Sequence, residues 1–285
     1  MSIQRKFLTP RPPKLKTLTE EQIRILKIVS RNNEYQLDDL LHSTSERVEN
    51  VIKAYYEEEP LIDDLNNQGI QSNILNDLKY KDFDNKSYEK AIPILIKWLK
   101  KEDISDNLKS AIISVLVERP ISKQYSFDII IDIYEKNADK NVPDKFGFQP
   151  SLFIAIGNGL IRWVDDKYAA KIFDILKNEK LRLDSFLLSS LANFKKFENR
   201  KKAIKVLIEE LQKPNLNNGR LLLIISILKK LEAIEARNLI YLFTQYPQNY
   251  PRNEKLSLEE NYFVTDTNVR NEAKKAIAAF DKIKK

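Results

Sequence analysis

Lys90-Ala91-Ile92-Pro93-Ile94-Leu95-Ile96-Lys97-Trp98-Leu99 is the stretch from which the rest of the chain is read. Ile92, Leu95, Ile96 and Leu99 recur at i, i+3, i+4 and i+7, the spacing that lines one stripe of an α-helix. The spacing predicts a helix from about Lys90 with Pro93 in its first turn, where a missing N–H costs nothing. A second stripe, Leu108, Ala111, Ile112, Val115 and Leu116, follows the polar residues Lys100 to Asp103 and closes at Pro120. Two helices joined by a few polar residues make an antiparallel hairpin.

The same grammar recurs towards the C-terminus. Phe127, Ile130, Ile131 and Tyr134 pair with Leu152, Ala155, Ile156, Leu160 and Trp163. Ala169, Ile172, Phe173 and Leu176 pair with Leu183, Phe186, Leu187, Leu191 and Phe194. A fourth pair uses Ala203, Val206, Leu207 and Leu211, then Leu221, Ile224, Ile225 and Leu228. The last uses Ala236, Leu239, Ile240 and Phe243, then Val269, Ala273, Ala276, Ile277 and Phe280. First helices start near Lys90, Ser126, Lys167, Asn199 and Glu235, so the units are 36, 41, 32 and 36 residues apart, within the range of helical repeats. Ser126, Asp184 and Asn199 are the expected caps. One such pair cannot bury its stripe alone, so neighbouring pairs must stack.

The most specific motif is Asp266-Thr267-Asn268-Val269-Arg270-Asn271-Glu272-Ala273, followed by Ala276 and Ile277. It resembles the second helix of a HEAT repeat, and Asp106-Asn107-Leu108-Lys109-Ser110-Ala111-Ile112 is a looser echo. The expected fold is therefore all-α, a right-handed α-α superhelix (a HEAT-like solenoid) of about five helix pairs with a helical N-terminal cap. Armadillo-like and other helical repeats are the alternatives. The resemblance implies that Asp266 and Arg270 bond between neighbouring repeats.

Composition narrows the chemistry. Only 5 of 285 residues are glycine, and no alternating strand pattern persists. There is no cysteine, which excludes disulfides, thiolate metal sites and thiol nucleophiles. The N-terminal residues lack the apolar core of a signal peptide, and no run approaches the ~18 apolar residues of a membrane span. A cytoplasmic protein with no membrane partner is expected. Residues 1–17 carry 5 basic and no acidic residues around Pro10-Arg11-Pro12-Pro13, and read as a flexible arm. Residues 18–90 form the irregular cap, opened by the capping-box spacing of Thr19 and Gln22. A faint helix-turn-helix outline there is at odds with 9 basic against 16 acidic residues, net −7. The repeat array spans 91–285 and is interrupted by a Pro-containing loop at 245–265.

Charge points to a surface. Residues 167–237 hold 16 basic and 8 acidic side chains, net +8. Lined along one face, they would attract an acidic protein or nucleic acid, although single-strand binders usually add aromatic platforms that are scarce here. The candidate partner surface comprises Lys195, Lys196, Arg200, Lys201, Lys202, Lys205 and Arg220, with Tyr246, Tyr250 and Tyr262 from the loop.

Catalytic constellations are sparse. His42 is the only histidine, so a multi-histidine metal site is impossible, and nothing places a serine and a carboxylate around it. Gly157-Asn158-Gly159 lacks the Lys and Ser/Thr of a phosphate loop and reads as a close-packing position. Asp38-Asp39, Asp63-Asp64 and Asp165-Asp166 are adjacent pairs, suited to turns and caps. No catalytic, cofactor-binding or metal-binding residue is expected. The leading expectation is a non-enzymatic scaffold that binds another protein. The alternatives are a DNA-binding or DNA-repair solenoid, to which Trp163 beside Asp165 and Asp166 gives a compositional likeness to HEAT-like alkylpurine glycosylases, and an immunity or regulatory protein such as bacterial HEAT-like proteins can be.

Overall fold

Thr19, Thr44, Asp84, Ser105 and Asn217 each cap the start of a helix by accepting from a free N–H, and apolar stripes hold the helices together. The computed structural model describes residues 18–31, 34–80, 83–142, 149–178, 181, 185–213, 216–246 and 266–283. Among the described residues all regular structure is helical, thirteen α-helices and several short 3-10 turns. None of the described helices is long and apolar enough to cross a membrane. The chain divides into two compact units, Met1–Arg119 and Pro120–Lys285, so the first expected helix pair lies with the N-terminal helices.

The first unit contains α1 (Glu20–Val29), α2 (Glu34–Leu41), α3 (Ser45–Asn67), α4 (Asn85–Leu99) and α5 (Asp106–Glu118). Thr19 and Gln22 form the anticipated capping box on α1. The first three helices close over Ile25, Leu26, Leu40, Val48 and Ile52. Helix α4 starts earlier than the stripe alone suggests, because Asp84 accepts from the Ser87 N–H and Tyr88 extends the buried face back by a turn. Pro93 therefore sits inside the helix rather than in its first turn. Helix α5 stops at Glu118, where Arg119 adopts the extended conformation that a following proline requires.

The second unit contains α6 (Lys123–Lys136), α7 (Ser151–Trp163), α8 (Ala169–Ile175), α9 (Ser185–Ser190), α10 (Phe197–Leu211), α11 (Asn218–Lys230), α12 (Arg237–Leu242) and α13 (Asp266–Ile283). The second helices pack in series, α7 on α9, α9 on α11 and α11 on α13, while α6, α10 and α12 flank α7, α11 and α13. Gly157 permits the first of these contacts, since a Cβ there would stand 2.2 Å from Phe186 Cγ. Two expected caps are displaced. Ser126 is fully buried inside α6, its hydroxyl donating to the Ser122 carbonyl, and Asn199 lies in the first turn of α10. Asp184 lies outside the described residues, as do 247–265 of the expected loop.

Candidate interaction surface

Helix α10 has no side-chain cap of its own. Asp166, in the turn after α7, supplies one across the fold: its Oδ2 accepts from the backbone N–H of Lys195 (3.1 Å) and Lys196 (3.0 Å), and its Oδ1 from the Asn199 amide (2.9 Å). Burial pushes the Asp166 carboxyl up, but these donors outweigh it and hold the group below the ordinary aspartate range. Asn193 adds a bond to the Ile161 carbonyl at the end of α7. The start of α10 is thus sewn to the end of α7.

On that fixed turn stand five lysines. Lys195, Lys196, Lys201, Lys202 and Lys205 are exposed, and none makes an ion pair among the described residues. Lys201 and Lys205 are one helical turn apart, as are Lys202 and Lys205, so these three share a face. Phe197, at the first helical position, is 73 % exposed beside them. The arrangement works against the helix. Lys195 and Lys196 oppose the macrodipole at the helix start, and Lys205 lies one turn from both Lys201 and Lys202, where like charges repel by about 0.2–0.5 kcal/mol per pair, partly offset by Glu198 one turn before Lys201 and Lys202.

Arg200 belongs to the scaffold beneath. Its Nη2 donates to the Leu231 carbonyl at 2.5 Å and lies 3.7 Å from Glu232, whose φ of 55° places it just past the end of α11. A guanidinium on the carbonyl end of a helix is favourably placed.

Two expected surface residues are interior. Arg220 is 9 % exposed and pairs with the fully buried Glu210 at 3.1 Å, while Lys213 approaches the same carboxylate at 2.7 Å. Burial raises the Glu210 pKa, but the two cations bring it below normal. Tyr246 is 3 % exposed because its ring packs on Phe243 and its hydroxyl donates to Asn218 Oδ1 at 2.8 Å. Asn218 in turn donates to Asp266, and Arg270 donates to the Tyr246 carbonyl at 2.7 Å. The motif Asp266 and Arg270 therefore bond back to the preceding helix pair and the turn after α12. Tyr250 and Tyr262 lie outside the described residues.

The remaining chemical candidates are structural. Trp163 is buried against Phe127, and Trp98 is buried with its indole N–H on Asp64 at 2.7 Å. Asp165 accepts from Lys123 at 2.5 Å and from the Lys167 N–H, so Asp165 and Asp166 both serve the fold. His42 is exposed at the end of α2, its Nδ1 2.8 Å from the Asp38 carbonyl. Among the described residues no three His, Asp or Glu side chains gather as a metal site. Phe197 is the residue sequence reasoning missed: it stands seven before Ile204, a spacing that assigns it to the buried side. At the helix's first position it is left uncovered. Compared with known proteins, the chain matches no protein family, no curated protein and no solved structure.

Proposed function

We propose that this chain is a non-enzymatic binding scaffold whose exposed α10 face, Phe197 with Lys201, Lys202 and Lys205, takes an acidic protein partner. One observation carries the reading: an aromatic at the first position of α10 is left 73 % exposed beside like-charged lysines one turn apart, and local rules are broken most often at functional positions. A central aromatic ringed by charge suits a protein interface, with the ring as anchor and the lysines speeding encounter. We further infer that the second unit is an α-solenoid of HEAT type. Serial packing of α7, α9, α11 and α13 supports this, as do the bonds from Asp266 and Arg270 to the preceding pair.

A second reading, duplex nucleic acid on the same lysines, rests on charge alone, since Trp163, Asp165 and Asp166 are committed to the fold. Purification from the native cell with the wild-type chain, Lys201→Glu/Lys202→Glu and Phe197→Ser tests both, followed by reconstitution from pure components. An acidic protein bound by the wild type and lost in both variants supports the scaffold. Salt-sensitive duplex binding lost only in the charge reversal supports nucleic acid instead. Identical behaviour of all three chains removes the α10 face from either role.

A further inference from the structure

Where the ends of α1 and α3 meet the 3-10 turn Leu75–Lys79, the first unit holds a pocket of about 520 Å³. Small-molecule sites occupy roughly 300–1,000 Å³. Ile28 and Phe83 are the apolar part of the lining, and Arg31 and Asp77 are its two charged residues. The polar side is fixed by its own bonds. Asn66 Oδ1 accepts from the Ser72 N–H at 3.0 Å, the Asn66 amide donates to the Ser72 carbonyl at 3.1 Å, and the buried Ser72 hydroxyl donates to the Ile74 carbonyl at 2.7 Å. Asp77 Oδ2 accepts from the backbone N–H of Asn73 at 3.0 Å and of Ile74 at 3.2 Å, which sets the carboxylate and leaves Oδ1 beside Arg31.

Arg31 follows the C-cap of α1 at φ 53°, a left-handed position usually given to glycine. Its guanidinium carbon lies 3.6 Å from the Tyr80 ring centroid, and its Nε lies 3.3 Å from Asp77 Oδ1. These two contacts hold the guanidinium, while Nη1 and Nη2 have no partner among the described residues. An arginine held this way presents a fork that matches a carboxylate. The side-chain amides of Gln71 and Asn73 line the same pocket and also make no hydrogen bond among the described residues.

We propose that this pocket binds a small zwitterion of the α-amino-acid class, its carboxylate on the Arg31 fork, its ammonium against Asp77 Oδ1 and its side chain against Ile28 and Phe83. The charges of the lining itself select the class. One cation and one anion cancel, so a phosphate would bring unmatched negative charge beside Asp77, and a simple amine unmatched positive charge beside Arg31. A zwitterion leaves both paired. Gln71 and Asn73, each donor and acceptor, can bond either end. The site lies in the first unit and does not depend on the α10 face.

Isothermal titration calorimetry of the full chain tests this, with each common L-α-amino acid, sodium acetate and inorganic phosphate titrated to about 20 mM. At least one amino acid is expected to bind with a Kd of about 1 mM or tighter, and its N-acetyl and α-amide derivatives, which lack one charge each, about ten-fold more weakly. Arg31→Ala is expected to weaken it about ten-fold, and Gln71→Ala, an exposed change that leaves the fold intact, about three-fold. Should Arg31→Ala melt early, Gln71→Ala and the two derivatives decide. The proposal is overturned if no amino acid binds the wild type, or if acetate or phosphate binds as tightly as the best amino acid. Affinity unchanged in both variants, with melting curves showing them folded, overturns it too by placing the ligand elsewhere.

Discussion

Replacing Gly157 by alanine separates two opposed effects whose signs differ. In an exposed helix the change is stabilising by about 1 kcal/mol, because alanine is the better helix former. At Gly157 the new Cβ would stand 2.2 Å from Phe186 Cγ, 2.4 Å from Cδ2 and 2.7 Å from Cβ. Carbon atoms rest at about 3.5–4.0 Å, so the overlap exceeds an ångström. Rotating the Phe186 ring relieves the first two contacts but leaves its Cβ in place, and α9 itself has to shift. Overpacking of this kind costs about 1–3 kcal/mol, which cancels or outweighs the propensity gain and leaves a net loss of up to about 2 kcal/mol. Urea unfolding followed by far-UV circular dichroism measures it, with the two compact units fitted as separate transitions if the curve is biphasic. Phe186→Ala in the same chain removes the ring but keeps the Cβ 2.7 Å away, so Gly157→Ala is expected to cost less on that background than in the wild type without becoming stabilising. A gain of about 1 kcal/mol from Gly157→Ala alone would show that α7 and α9 do not approach, and would refute the serial packing.

Other perturbations follow from the polar contacts. Asp166→Ala removes the acceptor for two N–H groups and the Asn199 amide, and is expected to cost about 1–2 kcal/mol at pH 7. Since the Asp166 carboxyl is held below its usual range, its contribution is present above about pH 4 and is lost as pH falls through the folded value, so the difference between wild type and variant shrinks on acidification below about pH 4 in acid-unfolding curves. Arg220→Ala leaves the buried Glu210 with Lys213 as its remaining cation and is expected to cost about 1.5–3 kcal/mol, whereas Glu210→Leu/Arg220→Leu recovers part of it in a double-mutant cycle. Glu58 has its carboxyl pushed up by burial, against the opposing bond from the Leu75 N–H. Its folded pKa is above the unfolded one, so its charge destabilises the native state at pH 7 and that penalty fades on acidification. Glu58→Gln is therefore expected to raise the melting temperature at pH 7 and to match the wild type at pH 4.

The apolar stripes of the five expected helix pairs were legible because burial repeats with the helical period: Leu95, Ile112, Ile131, Ile156, Leu187, Leu207, Ile224 and Phe280 are all essentially inaccessible. Helix starts were harder to read. The cap of α10 is Asp166, about thirty residues upstream, and a local reading assigned that role to Asn199. Pro93 misled because a proline reads as a helix start, while the Asp84 cap and Tyr88 lengthen α4 beyond it. At the candidate surface, charge composition located the lysines but did not separate those facing solvent from Arg220, whose burial depends on Glu210 folding opposite it. Tyr246 was read as a loop residue, and its burial depends on Asn218, 28 residues away. Phe197 escaped because period assigns a side, and only the three-dimensional edge of the packed layer shows where that side ends.

An acidic protein held on the α10 face, as proposed above, must lie within reach of residue 197. A photo-crosslinking phenylalanine analogue substituted at Phe197 in the native cell, with an equivalent placed at the exposed Tyr125 of α6 as control, tests it most directly. Position 197 is expected to yield an adduct with an acidic protein that Lys201→Glu/Lys202→Glu abolishes and that position 125 does not give. Adducts with nucleic acid, or the same adducts from both positions, would contradict it.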